Sequence, residues 1–253
     1  MVESTNNIEK IPLSFDEEKA LDLLTQTLKL KKVQYDENKY SNNHLIRFLR
    51  ARKYNIEKTI QMFIKFLKWN QEIQVEEITK LTFNEMPKVK VLYPRFLHKT
   101  DKLGRPIYIE LIGQIDLKQL LKVTNLERLQ KMNIQHQENI INNVLPACSA
   151  ESGKNIHQTL TIIDLKRFSK KLLSKKLYNY LKVSFSNLQN YYPETLGNLI
   201  IINSSIIFKA CWTVIKPFLD DKTKKKILFC GRDYKKKLLE YVMLTILFLL
   251  FLG

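Results

Sequence analysis

The sequence predicts an α/β protein: an N-terminal helical lobe followed by a mixed, largely parallel sheet flanked by helices. Two observations carry that reading. Apolar residues recur at helical spacing through the first third of the chain, and from about Pro87 onward short β-branched runs (PIYIELI, TLTIID, NLIIIN and KILFC) alternate with long helical segments. Strand, helix, strand order implies parallel strands joined by helical crossovers.

Taking the elements in order, Ser14 followed by Glu17 has capping-box spacing, in which hydroxyl and carboxylate each satisfy an orphan amide. Leu21, Leu24 and Leu28 then share one face, giving a helix of about four turns. A second helix carries Leu45, Phe48 and Leu49 inward. Asn55 caps a third, whose expected buried stripe is Ile56, Ile60, Phe63, Ile64 and Leu67. Three short helices make a small bundle. The expected organisation is a tail over 1–13, the helical lobe over 14–73, the sheet domain over 87–241 and an apolar tail over 242–253. That last stretch, VMLTILFLLFLG, is short for a membrane span, which needs about 20 residues.

Composition narrows the function. The chain has 253 residues, 45% hydrophobic and 26% charged, enough for a substantial core. Its 42 Lys and Arg against 25 Asp and Glu leave a charge of +17, a field that favours nucleic acid, anionic membrane or phosphorylated ligands. The odd number of cysteines (Cys148, Cys211, Cys230), with no CxxC spacing, and a polar N-terminus fit a reduced, cytosolic protein. With six glycines and no GxGxxG or GxxxxGK[ST], the backbone has no loop to wrap a pyrophosphate. His44, His98, His136 and His157 lack metal-ligand spacing. Asp164 stands at a strand end with no serine or second carboxylate in motif beside it, so a structural role in the turn is expected.

Two basic or amphipathic segments stand out. RFLRARKYN, from Arg47 to Asn55, crowds Arg47, Arg50, Arg52 and Lys53. In SSIIFKACWTVIKPFLDD, residues Phe208, Cys211, Trp212, Ile215, Phe218 and Leu219 form a wide apolar face, with Lys209, Thr213 and Lys216 elsewhere and Pro217 kinking or ending the helix. Such a helix either packs on the sheet or swings out onto an anionic bilayer.

The strings HLIRFLRARKYNIEKT, YPRFLHKTDKLGRPIYIELIG, LPACS, TIIDLK, QNYYPETLG, IINSS and KPFLDDKTKKKI, in this order, resemble the CRAL-TRIO family, specifically its yeast-type phosphatidylinositol/phosphatidylcholine transfer proteins, over about Ser14 to Tyr241. The resemblance implies a sheet-floored apolar pocket for one phospholipid, gated by the helix spanning Ser204 to Leu219, with Phe208, Trp212, Ile215 and Phe218 as gate and membrane contacts. It implies no catalysis, no metal and no cofactor beyond bound phospholipid. It also implies a cytoplasmic monomer peripheral to Golgi or endosomal membranes, touching anionic surfaces transiently and handing lipid to a phosphoinositide kinase.

Carried over residue by residue, the phosphoinositide headgroup set is Arg52, Lys53, Glu194, Thr223 and Lys226. Thr159 and Thr161 occupy the positions that meet the choline lipid phosphate. The two family tyrosines around the quaternary ammonium correspond to Leu97 and Gln137, a loss of about 0.5–2 kcal/mol of cation–π attraction each. Phosphatidylinositol is therefore expected ahead of phosphatidylcholine. Arg47 and Arg50 are expected on a solvated helix face, and Lys222, Lys224 and Lys225 on the surface. Other classes make distinct demands. A carrier of a sterol or tocopherol has no need of Lys226 or Thr223, a nucleic-acid-binding protein interleaves its cations with exposed aromatics, and a lipid hydrolase requires a nucleophile and base that the chain does not assemble.

Overall fold

The computed structural model describes residues 13–169, 174–205, 208, 212–213 and 215–245. Most of the N-terminal tail and of the apolar C-terminal tail (1–12 and 246–253) lie outside the described residues. Helix α1 (Phe15–Leu30) opens on the expected capping box, with the Glu17 amide donating to Ser14 Oγ and the Ser14 amide to the Glu17 carboxylate. Helices α2 (Asn42–Ala51) and α3 (Ile56–Glu72) follow, and Asn55 Oδ1 caps α3 by accepting from the Lys58 amide at 2.9 Å. Their core is aromatic: Phe48 meets Phe63 edge-on at 5.3 Å and packs on Phe66 at the same distance.

Ile64 does not join that core. It is 43% exposed, and the buried face of α3 runs instead through Ile60, Met62, Phe63, Phe66 and Trp69. The cause is tertiary, because Tyr191 stacks on Trp69 at 4.0 Å and so covers the side of α3 that periodicity alone leaves open. Two further helices, α4 (Val75–Lys80) and α5 (Met86–Leu92), lead into the sheet.

The sheet has the order β1-β2-β3-β4-β5: β1 (Arg95–Thr100), β2 (Pro106–Glu110), β3 (Thr159–Asp164), β4 (Leu196–Ile202) and β5 (Ile227–Phe229). β1 pairs antiparallel with β2 and the other pairs are parallel. The four β-branched runs are all strands. β1 (RFLHKT) escapes sequence reading because an edge strand tolerates Arg, His and Lys without an apolar pattern. Asp164 has the expected turn role, accepting from the Lys166 amide and from Asn203 Nδ2, each at 2.7 Å.

Between β2 and β3 the chain runs through α6 (Leu117–Val123), α7 (Leu126–Asn139) and α8 (Leu145–Ser152), and between β3 and β4 through α9 (Lys175–Tyr191). A helix over Tyr234–Tyr241 then closes one face of the sheet. There Ile107, Ile109, Leu160, Ile162, Ile200 and Ile202 are at most 1% exposed, packed with Leu238 and Val242.

Candidate ligand-binding site

The opposite face of the same strands floors a cavity of about 1120 Å³, larger than the roughly 300–1,000 Å³ of ordinary small-molecule pockets. Strand alternation sets this floor: Tyr108 and Glu110 of β2, Thr159, Thr161 and Ile163 of β3, and Leu199 and Ile201 of β4 point into the hollow. Helices α7 and α9 supply apolar walls such as Leu129, Leu177, Leu181 and Phe185. Phe208, Trp212, Ile215 and Leu219 line it from the segment after β4. Phe208 meets Phe168 edge-on at 5.7 Å, and Trp212 meets Phe229 at 4.8 Å. Cys211, Lys209 and the side chain of Phe218 lie outside the described residues.

Arg52, Lys53, Glu194, Thr223 and Lys226, from separate parts of the chain, all line this cavity, and among them Glu194 lies against Lys226. Arg52 is the C-cap of α2, with Lys53 just beyond it. Glu194 follows α9, and Thr223 and Lys226 come from the short helix Asp221–Lys225 and its C-cap. Lys53 and Glu194 hold left-handed backbone, φ 51° and 59°, a conformation that costs a non-glycine residue energy and persists where its surroundings enforce it. The Glu194 side chain is only 8% exposed. It receives Lys226 Nζ at 3.5 Å and also pairs with Lys222, while Lys226 Nζ donates to the Leu196 carbonyl at 2.6 Å. Thr223 donates its hydroxyl to Asp220 Oδ2 at 3.1 Å, the same carboxylate that caps its helix. The Arg52 guanidinium bonds only its neighbour's carbonyl, Ala51 O at 3.3 Å, and has no carboxylate partner among the described residues.

Two expectations about the basic segment are corrected. Arg50 is not solvated. Its Nε and Nη2 donate to Glu17 at 2.8 and 3.2 Å, Tyr54 OH donates to the same carboxylate at 2.8 Å, and Arg50 itself reaches the cavity lining. The Arg50 hydrogen bonds hold Glu17 down at a pKa of about 2. The capping-box glutamate of α1 thus also clamps the turn that presents Arg52 and Lys53. Arg47 is buried, 6% exposed, near Glu138 and Tyr192, and burial lowers its pKa to about 10, so it remains charged at neutral pH. Both arginines sit where α2 packs against other helices, which a helical wheel cannot reveal. Of the three lysines expected on the surface, Lys222 and Lys225 are exposed and also line the cavity, Lys222 pairing with Glu194, while the half-buried Lys224 pairs with Asp221 at 3.0 Å.

Deeper in, Thr159 and Thr161 present hydroxyls 3.4 Å apart. Gln137 lines the cavity. Leu97 packs instead against the helical-lobe core. Aromatic faces are nonetheless abundant, because Tyr93, Tyr108, Tyr178, Tyr180 and Tyr192 all line the hollow. Tyr93 OH donates to Glu110 Oε2 at 2.8 Å, and Tyr180 OH accepts from Asn133 Nδ2 at 2.7 Å. His136 lies 4.6 Å from the Tyr108 ring. Burial, with Arg95 nearby, lowers its pKa to about 4, so the imidazole is neutral at physiological pH. Sequence reasoning missed this polar floor, although the period-2 placement of Tyr108 and Glu110 in PIYIE signals it. Among the described residues no three His, Cys, Asp or Glu side chains come together to hold a metal, and no helix is long and apolar enough to cross a membrane.

Comparison with known proteins gives a consistent result. The family model of the CRAL/TRIO domain matches residues 90–247, and that of the CRAL/TRIO N-terminal domain residues 15–65. The Sec14 cytosolic factor of Schizosaccharomyces pombe is 39% identical over 216 residues, covering 85% of this chain and 75% of that protein. Phosphatidylinositol/phosphatidylcholine transfer protein SFH11 of Arabidopsis thaliana is 38% identical over 202 residues, 79% of this chain but 54% of its own length. The SEC14 cytosolic factor of Kluyveromyces lactis is 37% identical over 214 residues, covering 84% and 70%. The chain therefore spans about half to three quarters of these relatives. The crystal structure of Sfh5 shares the fold, with a TM-score of 0.70 over 89% of this chain and 84% of that one at 20% identity.

Proposed function

This chain belongs to the CRAL/TRIO family, and we propose that it is a phospholipid carrier that binds phosphatidylinositol foremost, exchanges it for phosphatidylcholine and moves both between membranes. The observation that supports this reading is an apolar cavity of about 1120 Å³ whose lining includes Arg52, Lys226, Thr223 and Glu194, with Lys226 paired to Glu194. Carrying a two-tailed lipid through water exposes its chains at about 0.8 kcal/mol per methylene, tens of kcal/mol in all. An apolar hollow removes that cost without any bond being made or broken.

These polar residues answer the headgroup. Arg52, with no carboxylate partner among the described residues, and Lys226 balance a phosphodiester, Thr223 donates to it on releasing Asp220, and Glu194 orients Lys226 and accepts from inositol hydroxyls. Thr159 and Thr161 serve the phosphate of the choline lipid, and the tyrosines of the cavity offer its quaternary ammonium the ring faces that Leu97 and Gln137 do not. The segment bearing Phe208, Trp212 and Ile215 is the wall that opens at a membrane. In this reading the protein is a carrier and not a catalyst, acts as a monomer at the surface of Golgi or endosomal membranes, and supplies a phosphoinositide kinase in support of membrane traffic.

The test is mass spectrometry of lipid co-purifying with the chain. Lys226→Ala and Thr223→Ala should each lower inositol lipid occupancy about tenfold or more, the equivalent of one charge-assisted hydrogen bond, with choline lipid retained. Unchanged inositol lipid in both variants overturns the headgroup assignment, and a phosphate-free occupant such as a sterol replaces the reading altogether.

A further inference from the structure

A second concavity, of about 600 Å³, lies outside the helical lobe where α3 meets the end of α9. Lys58, Lys65 and Lys68 fall on one stripe of α3, at i, i+7 and i+10, and Arg52 closes one end. The stacked rings of Trp69 and Tyr191, 4.0 Å apart and 10° from parallel, make a rigid wall. The charge is not cancelled locally. Glu72, the one carboxylate in the lining, reaches Lys68 at 3.8 Å across solvent, a pairing of small worth, and Glu57 is taken by Lys31 on the other side of the helix. Lys58 and Lys65 have no ion-pair partner among the described residues.

Position gives the groove its meaning. Arg52 and Asn190 line both this groove and the large cavity, so the groove adjoins the cavity. A phosphodiester inside the cavity already has Arg52, Lys226 and Thr223, which leaves Lys58, Lys65 and Lys68 to the outer groove. What the outer groove offers is a set of several unneutralised cations around a space larger than a bare ion, which suits a dianionic headgroup with three terminal oxygens.

We propose that this groove binds the phosphomonoester headgroup of a second lipid that stays in the membrane, holding the cavity mouth against bilayers that contain such lipids. The site shares only Arg52 and Asn190 with the carrier cavity, and its meaning for the cavity mouth rests on the carrier reading.

The experiment is vesicle flotation with phosphatidylcholine vesicles carrying phosphatidate, compared with vesicles carrying phosphatidylserine at matched surface charge. The Lys65→Gln/Lys68→Gln variant should bind phosphatidate vesicles about tenfold or more weakly, at the energy of about one kcal/mol per surface cation. A Lys118→Gln/Lys182→Gln variant, equal in net charge and altered at exposed sites elsewhere, should bind as the parent does. Equal losses in the two variants overturn the proposal, as does phosphatidylserine binding as tight as phosphatidate binding in the parent. Soluble glycerol phosphate binding as tightly as vesicles would mean a site for free phosphate and overturns the membrane source. Lipid in the cavity is measured on the same preparations. Its absence from the parent counts against the carrier reading, whereas lost vesicle affinity with cavity lipid retained is what the groove requires.

Discussion

The two faces of the central sheet are made from the same strands and have opposite fates. On one, Ile107, Ile109, Leu160, Ile162, Ile200 and Ile202 meet the helix Tyr234–Tyr241 and leave no space. On the other, Tyr108, Glu110, Thr159, Thr161 and Ile163 look into a hollow. Residues one step apart along β3 therefore do different work: Ile162 holds the fold together, while Thr161 and Ile163 shape a container. A sheet that was solid on both sides would gain stability and have nowhere to put a ligand. Stability is concentrated on the filled face, where close packing makes every methylene count.

That division can be broken most sharply by paired truncations. Ile162→Ala should cost about 3 kcal/mol in urea unfolding, because a closed core cannot collapse around the loss. Ile163→Ala, facing a space that already exists, should cost about 1 kcal/mol or less. Equal costs would erase the distinction between the faces.

A smaller effect tests how the mouth of the hollow is held. Glu17→Gln weakens the bonds from Arg50 and Tyr54 together and should cost about 2 kcal/mol near neutral pH. The carboxylate titrates at about 2 in the fold against 4.5 for an ordinary glutamate, so its contribution is complete above about pH 4.5 and is lost as pH falls toward 2. The variant should lack that acid loss, and a pH-denaturation series of both proteins checks it.

The smallest expected effect sharpens the comparison between a face of isoleucines and a face with titrating groups. His136 is neutral in the fold, with a pKa of about 4 against 6.5 for an ordinary histidine. The unfolded chain therefore binds a proton first, and stability declines as pH drops from 6.5 toward 4. His136→Leu should flatten part of that slope in thermal melts. The part due to His44, drawn down by burial to about 3, should remain.

Much of this architecture was legible before any coordinates. Ser14, Glu17 and Asn55 marked helix starts because capping acts over three residues of backbone, and the β-branched runs marked strands because a buried strand needs apolar side chains on both faces. The failures share a cause. RFLHKT became a strand only because β2 was beside it to accept its hydrogen bonds. Arg47 and Arg50 look like a solvated stripe until Glu138, Tyr192 and Glu17 are brought near by other helices. Ile64 has the right periodicity for the core, but the stacking of Tyr191 on Trp69 sets which side of α3 is covered.

By itself the sequence determined the three helices of the N-terminal lobe, the starts of two of them at Ser14 and Asn55, and four of the five strands, since these follow from backbone geometry and neighbours a few residues away. Its motifs also named cations and hydroxyls that line the cavity. Only the tertiary structure decided that one sheet face is filled and the other empty, that residues as distant as Arg52 and Lys226 line one cavity, and that the lysines of α3 flank a groove adjoining it. Those outcomes depend on how far helices stand from the sheet, a spacing set by packing over the whole molecule.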